Sequence, residues 1–206
     1  MRVLLAILLT FASIIVVCQE NLKYNIDIEA HASINGMKLN IKVERDDEKI
    51  KVIYNKLDSI DSKSSESDSK KLRLLKKHTK AKSKSKKERI FNKLKALIEK
   101  YEIYKKDSLI FNSSENIQYS NLIDTIYKTD KKVLLRDMRS GFFVTLDGTL
   151  FKIRVIEKNE IIKDLYVHAP RSDSHPLINK LICETLDLYR INNTNSFLDK
   201  EYTNGY

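Results

Sequence analysis

The chain has 206 residues, with 38 Lys and Arg against 28 Asp and Glu for a formal net charge of +10, and 42% of its residues are hydrophobic. This hydrophobic share allows one packed core and excludes a wholly disordered chain. Four scattered glycines exclude glycine-rich phosphate loops, and two cysteines exclude a disulfide-dense scaffold and a zinc site of four thiolates.

Residues 1–18 have the pattern of a signal peptide. Arg2 precedes an uncharged apolar run over residues 3–17. That run lies at the upper end of the about 7–15 residues typical of a signal-peptide core, and it is shorter than the roughly 20 of a membrane-spanning helix. We therefore predict cleavage before Gln19, export to a secreted or periplasmic location, and one mature domain over residues 19–206.

Two other fates of this segment remain open, a retained membrane anchor and a lipid anchor on Cys18. Val17 disfavours the lipid anchor, because the residue before a lipidated cysteine is usually small. After cleavage Cys183 would be the one remaining cysteine, and its place among apolar residues predicts a buried, inert thiol.

The first part of the mature chain predicts a three-stranded β-meander over residues 22–54. Apolar residues alternate with polar ones, and their parity changes after Asn35-Gly36, which is a strong hairpin signature. A two-residue turn there and a four-residue turn over 45–48 would pair Ala30 with Ile41, Ile28 with Val43, Val43 with Ile50, Ile41 with Val52 and Leu39 with Tyr54.

The middle of the chain carries most of the positive charge. Residues 58–69 are rich in Ser and Asp, and we interpret them as a flexible loop. Residues 70–95 hold thirteen Lys and Arg against one Glu. We predict that about 58–87 form a flexible, Ser- and Lys-rich basic insertion in the domain. An apolar stripe from Ile90 to Tyr101 predicts a helix that packs on the sheet.

The following segments predict a second helix and a second meander. Asn112 to Glu115 resembles a capping box, and Ile117, Leu122, Ile123 and Ile126 would form the buried face of a helix ending near Lys128. One strand is predicted over 133–136, and two more over 142–146 and 149–156, joined by an Asp147-Gly148 turn. A loop at 158–160 then leads to a fourth strand, which aligns Ile153 with Leu165 and Phe151 with Val167.

A closing helix completes the prediction. It begins with Asp173 or Ser174 as the cap and Pro176 in the first turn, and it buries Leu177, Leu181, Ile182, Thr185 and Leu188. The predicted order is three strands, two helices, four strands and one helix. This order indicates an α+β fold of antiparallel meanders with helices packed on one face. Whether the two meanders join into one sheet stays open.

The basic insertion is the main candidate for a binding function. Its candidate anion-binding residues are Lys70, Lys71, Arg73, Lys76, Lys77, Lys80, Lys82, Lys84, Lys86, Lys87 and Arg89. Such a charge attracts polyanions in a salt-sensitive way, so an anionic surface, a polysaccharide, an acidic protein or a peripheral membrane contact are the expected partners. Nucleic acid is disfavoured, because no aromatic residue interleaves with these bases before Phe91. The alternative is a solvated loop without a partner.

A second polar cluster lies at the end of the last strand, in His168, Arg171, Asp173 and His175. Two imidazoles and a carboxylate are ligand types for a divalent metal and include acid–base groups. Their spacing across a proline-containing loop matches no recognised ligand pattern, so a connection with helix-capping residues is the favoured interpretation. We therefore predict no metal, no cofactor and no catalytic residue.

Three function classes follow from these observations. The leading hypothesis is an exported, non-enzymatic binding protein whose basic insertion contacts an anionic partner. The first alternative is a secreted inhibitor-type module that binds a protein through an exposed apolar patch. The second is an enzyme with an unrecognised site near His168 and His175, which would require a well-formed pocket there.

Overall fold

The computed structural model describes residues 22–32, 36–139, 148–193, 196–203 and 205–206. The sheet contains the strands β1 (Lys23–Ala32), β2 (Lys38–Asp46), β3 (Lys49–Ile60), β4 (Glu102–Asn112), β5 (Thr149–Glu157) and β6 (Glu160–His168). They are antiparallel and lie in the order β4-β3-β2-β1-β5-β6. Because β1 pairs with β5, the two halves of the chain form one sheet.

Six α-helices accompany this sheet in the described part of the chain. They are α1 (Ser62–Ser67), α2 (Ser69–Lys80), α3 (Lys84–Ile98), α4 (Ile117–Lys128), α5 (Lys131–Leu134) and α6 (Pro176–Asn192), with short 3-10 turns at Glu99–Tyr101, Ser196–Leu198 and Lys200–Thr203. The predicted α+β class is confirmed. The first three helices lie between β3 and β4, and the other helices follow β4 and β6.

The sheet buries one face under α4 and α6. Alternate residues of β1, such as Ile26 and Ile28, are almost inaccessible and pack with Ile123 of α4 and Ile182 of α6 in one core cluster. Full burial of such a side chain stabilises the fold by about 1.5–3 kcal/mol. The predicted buried faces of these two helices are largely confirmed, except that Ile117 is exposed and Leu177 is half-buried.

The strand registers show what the hydrophobic pattern can and cannot decide. Between β5 and β6 the predicted pairs of Ile153 with Leu165 and of Phe151 with Val167 are confirmed. Between β1 and β2, and between β2 and β3, the predicted pairs are wrong by two residues: Ile28 faces Ile41 and Ile41 faces Tyr54. A two-residue slip keeps every side chain on its face, so the apolar pattern fits both registers.

The turns explain these two slips. The β2–β3 turn has two residues, Asp47 and Glu48, and Asp47 adopts a φ of 50°. In the β1–β2 pair the Ala32 amide donates to the Met37 carbonyl at 3.0 Å, whereas the predicted two-residue turn would have paired residues 34 and 37. Of the predicted Asn35-Gly36 pair, Asn35 lies outside the described residues and Gly36 has a φ of 64°.

Three element predictions are corrected by the structure. Residues 133–136 are not a strand, because Val133 and Leu134 belong to α5. The predicted helical stripe ends at Ile98, and residues 102–112 form β4, an edge strand that the sequence did not predict. Edge strands bury little and often carry lysine, so the alternation of β4 is weak. The predicted strand over 142–146 lies outside the described residues.

Helix caps account for the remaining differences. Asn116, and not Asn112, caps α4 by accepting from the Tyr119 amide at 3.0 Å. The N-cap position of α6 is His175, which makes no side-chain capping bond, while Pro176 does occupy the first turn as predicted.

Candidate anion-binding surface

The segment between β3 and β4 is helical, although the sequence suggested a flexible loop over 58–69. β3 continues to Ile60, and Asp61 then caps α1 by accepting from the Ser64 amide at 3.1 Å. Asp68 caps α2, accepting from the amides of Lys70 and Lys71. The Ser- and Asp-rich composition therefore supplies helix caps, because short polar side chains satisfy the free amides of a first turn.

Helices α2 and α3 form a helical hairpin, which we call the basic hairpin (residues 69–98). Leu74 of α2 packs with Ala81, Ile90 and Leu94 in a small apolar cluster separate from the main core. Ser83 caps α3 by accepting from the Lys86 amide. This cluster uses one side of each helix, so the other sides carry their side chains into solvent.

The candidate basic residues occupy these outer sides. Lys70, Arg73, Lys76, Lys77, Lys80, Lys82, Lys84, Lys86, Lys87 and Arg89 are exposed. Lys71 is half-buried and donates to Ser65 Oγ at 2.6 Å. Within the described residues, none of the eleven lies within 4.0 Å of a carboxylate oxygen. Mobile solvent ions therefore compensate the charge of these residues. A polyanion that replaces those ions releases them into solution, which favours its binding.

Two hydrogen bonds join the start of the hairpin to the end of the segment. The Asp61 amide donates to the Tyr101 carbonyl at 2.9 Å, and the Tyr101 hydroxyl donates to Asp68 Oδ2 at 2.5 Å. The bond from Tyr101 is the largest cause that holds the pKa of Asp68 below its ordinary value. Ile60 and Glu102 pair directly in the sheet, so the whole helical segment projects from between two paired strands.

A groove of about 730 Å³ lies on the face of the sheet opposite α4 and α6, and we call it the open-face groove. Most of its lining residues are charged or amide residues of β1 to β5, and Lys95 of α3 and Glu99, which follows α3, also line it. The groove and the basic hairpin are therefore neighbouring parts of one surface.

Ion pairs organise part of this lining. Lys38 on β2 donates to Glu102 on β4, whose carboxylate also accepts from the Tyr104 hydroxyl at 2.8 Å. The side chain of Glu102 is only 3% exposed. Burial alone would raise the pKa of this carboxyl, but the bonds from Lys38 and Tyr104 oppose it and the net pKa is lowered. Glu102 is thus held as a carboxylate.

A second pair crosses β1 and β5. Arg154 Nη2 donates to Glu29 and lies 4.0 Å from Asp27 Oδ2. The other oxygen of Asp27 and Nε of Arg154 are buried without a hydrogen-bond partner among the described residues. Burial is the main cause that raises the pKa of Asp27, against the opposing effect of Arg154 and Lys42.

The predicted histidine cluster lies elsewhere. His168 ends β6 and is exposed, while Arg171 Nε lies 3.8 Å from Asp173 Oδ1 at the surface. None of these residues, nor His175, lines the open-face groove. Across the ranges given above, no group of three or more His, Cys, Asp or Glu is placed to hold a metal ion.

Cys183 is half-buried on α6, and burial raises the pKa of its thiol. The predicted burial is therefore only partial, and the raised pKa lowers the fraction of reactive thiolate. Cys18 lies outside the described residues.

No protein family, curated protein or solved structure matches this chain. In the part of the chain that the structure describes, no helix has the length and apolar character needed to cross a membrane.

Sequence reasoning found the basic hairpin residues and missed the open-face groove. The parity of β1 and β2 does place Glu29 and Lys38 on the wet face. The groove also needs β4 beside β3 and β5 beside β1. Neither neighbour was predicted, because β4 carries a weak pattern and the β1–β5 pairing joins segments far apart in the chain.

Proposed function

We propose that this chain is an exported, non-enzymatic binding protein whose basic hairpin contacts an anionic partner. The partner class comprises acidic polysaccharides, acidic proteins and anionic membrane surfaces. The observation that carries the proposal is the set of eleven hairpin bases, ten of them exposed, without a carboxylate partner among the described residues. Export rests on the pattern of residues 1–18, and the non-enzymatic role rests on the sequence.

The hairpin geometry supports binding to an extended partner. The α2 surface bearing Arg73, Lys76, Lys77 and Lys80 borders a shallow depression of about 430 Å³. Bases at three- and four-residue spacing repel each other along a helix, and a polyanion laid across them relieves that repulsion. Binding would therefore weaken steeply with salt, since the released counterions drive it.

The test compares two triple variants of equal charge. Lys76, Lys77 and Lys80 become Gln in one, and Lys128, Lys131 and Lys132, exposed residues of α4 and α5, become Gln in the other. Retention on long-chain heparin and on vesicles with anionic lipid is measured across a salt series. We expect the hairpin variant to elute at clearly lower salt, because fewer counterions are released when fewer ligand charges are neutralised by lysines. Equal elution of the two variants would contradict the proposal.

A second candidate function is the inhibitor-type module, because β5 and β6 expose apolar side chains far from the hairpin in sequence. Leu150, Ile161, Ile162 and Tyr166 are 42%, 54%, 43% and 56% exposed. Exposed apolar side chains on one edge of a sheet favour a protein partner. Replacing Ile161 with Lys should abolish capture of such a protein and leave heparin retention unchanged.

A further inference from the structure

The open-face groove contains donors that the protein itself does not use. Lys38, Lys42 and Arg154 are each paired with a carboxylate. Lys95 and Lys106 also line the groove, and within the described chain neither lies within ion-pair distance of a carboxylate. Two ammonium groups are therefore available to a ligand.

Two amides lie beside these lysines. Asn40 on β2 faces Asn55 on β3, and Asn55 faces Lys106 on β4. The three side chains form one row across neighbouring strands, with a length of about 10 Å for two strand spacings. No hydrogen bond engages either side-chain amide among the described residues, although each amide supplies two donors and an acceptor.

The row of Asn40, Asn55 and Lys106 is positively charged at one end and lies beside a carboxylate at the other, so it would orient a ligand. At one end lies the ammonium group of Lys106, and Lys95 lines the same groove from α3. At the other end Asn40 faces Glu29 of β1, a carboxylate engaged by Arg154. An anionic group therefore belongs at the lysine end, and hydroxyl groups, which both donate and accept, suit the amides and Glu29.

The chemistry of the lining also selects the ligand class. Small-molecule pockets are usually mostly apolar and have volumes of about 300–1,000 Å³. The open-face groove has such a volume, and Ile28, Ile41 and Ile53 line it, but charged residues and amides outnumber these apolar residues. A sugar would therefore find hydrogen-bonding partners along most of the groove.

We propose that the open-face groove binds an acidic saccharide, with its carboxylate or sulfate between Lys95 and Lys106 and its hydroxyls on Asn40 and Asn55. This inference deepens the proposed function and rests on it, since it identifies the anionic partner as a polysaccharide. The hairpin would supply long-range, salt-sensitive attraction, and the groove would recognise one acidic unit of the polymer.

The experiment measures binding of short oligosaccharides by calorimetry at fixed salt. A heparin tetrasaccharide carries sulfate and carboxylate, trigalacturonic acid carries carboxylate alone, and maltotetraose is neutral. We expect both acidic ligands, or one of them, to bind and the neutral ligand to fail. The comparison of the two acidic ligands identifies which anionic group the lysines prefer.

Matched variants then locate the site. Lys106→Gln should weaken binding about tenfold or more, as expected for loss of a charge-assisted hydrogen bond. Lys105→Gln is the control with the same charge change, since Lys105 is 64% exposed and pairs with Asp58 at 2.7 Å; it should change affinity less than about twofold. On α3, Lys95→Gln and Lys93→Gln form a second such pair.

Glu99 gives a test in the opposite direction. It lines the groove near Lys95 and makes no ion pair among the described residues. Glu99→Gln removes a repulsive charge and should strengthen binding by about 2- to 5-fold. Asn55→Ala should weaken binding while leaving its salt dependence unchanged, because a neutral donor displaces no counterion. A purely structural role of these residues would not strengthen binding in one variant and weaken it in another.

The outcomes separate the inference from the proposed function. Equal affinities of the Lys105 and Lys106 variants, tight binding of maltotetraose, or no binding of any oligosaccharide by the unaltered protein would each overturn the groove assignment. In all three cases the proposed function is still tested independently. That test is retention of the unaltered protein on long heparin and the loss of retention in the hairpin variant. Failure of both measurements would refute both.

Discussion

The interpretation of the basic segment as an insertion makes a strong prediction, because its two ends meet. Ile60 and Glu102 are paired across β3 and β4, and Asp61 and Tyr101 are joined by a backbone hydrogen bond. Residues 61–101 can therefore be replaced by Asn-Gly, which closes two antiparallel strands as a two-residue turn. We expect this shortened protein to fold with the same sheet.

The magnitude follows from what is removed. The main core contains no residue between Tyr54 and Leu109, so the replacement leaves that core intact. Of the other buried apolar residues that are removed, Ala81, Ile90 and Leu94 form a separate cluster inside the deleted segment, and removal of Leu97 costs about 1.5–3 kcal/mol. Shortening the connection from 41 residues to two is roughly four halvings of its length. Each halving lowers the entropic cost of closing the loop, so the fold is stabilised by about 2.5 kcal/mol. The two effects nearly cancel, and the free energy of unfolding should change by less than about 2 kcal/mol.

Urea denaturation of the full and shortened mature proteins measures this difference. The shortened protein should unfold cooperatively with a smaller m-value, since less surface becomes exposed. It should also no longer be retained on long heparin. A decrease in stability above about 4 kcal/mol, or a non-cooperative transition, would show that the helical segment supports the sheet and would refute the interpretation as an insertion.

Three further predictions concern the fold and its terminus. Glu102→Gln leaves Lys38 without its carboxylate and should lower the free energy of unfolding by about 1–3 kcal/mol at neutral pH. Because the folded pKa of Glu102 is lowered, the extra stability of the unaltered protein should persist above the ordinary pKa of a glutamate and disappear as the pH falls through the folded pKa. Urea midpoints of both proteins, measured as a function of pH, would show or disprove this dependence. Gly148→Ala places a Cβ 2.6 Å from Cβ of Ala169 and should destabilise the fold by about 1–3 kcal/mol. Adding Ala169→Gly, at a residue with a φ of 46°, should restore the urea midpoint. If the midpoint is not restored, this contact is not the cause of the destabilisation. Mass spectrometry of the exported protein should find a mature terminus near Gln19, and an intact Met1 would contradict the predicted cleavage.

The sequence predicts those features that a single segment determines. Period-two alternation located β1 to β3, β5 and β6, and helical stripes located α4 and α6. In the predicted 158–160 loop, Asn159 has a φ of 66°, which lies in the left-handed region. Features that depend on partners elsewhere were missed. β4 is recognisable only beside β3. The helices within residues 62–80 were missed for a local reason, because composition alone does not reveal that Asp61 and Asp68 act as helix caps.

The candidate site also has one part that a single segment determines and one part that depends on strand pairing. The hairpin bases follow from composition, because thirteen Lys and Arg within 26 residues exceed what a small apolar cluster can bury. The open-face groove depends on registers. Asn40, Asn55 and Lys106 form one row only in the observed pairing. In the predicted register, Leu39 faces Tyr54 and Asn40 would face Ile53, which removes the paired amides from the row.

The charge distribution connects the hairpin and the groove. Outside residues 70–95 and Arg2, the chain carries 24 Lys and Arg and 27 Asp and Glu, so the sheet and its covering helices are slightly acidic. If the protein binds a polyanion as proposed, the hairpin would attract it and the rest of the molecule would weakly repel it, so it would approach from the hairpin side. Lys95 lies on α3 and also lines the groove, so an acidic polysaccharide bound along the hairpin, as proposed, would also reach Lys106 and the amides of the groove. Long-range attraction alone would accept any polyanion, and discrimination among them has to come from the short, directional contacts that the groove offers.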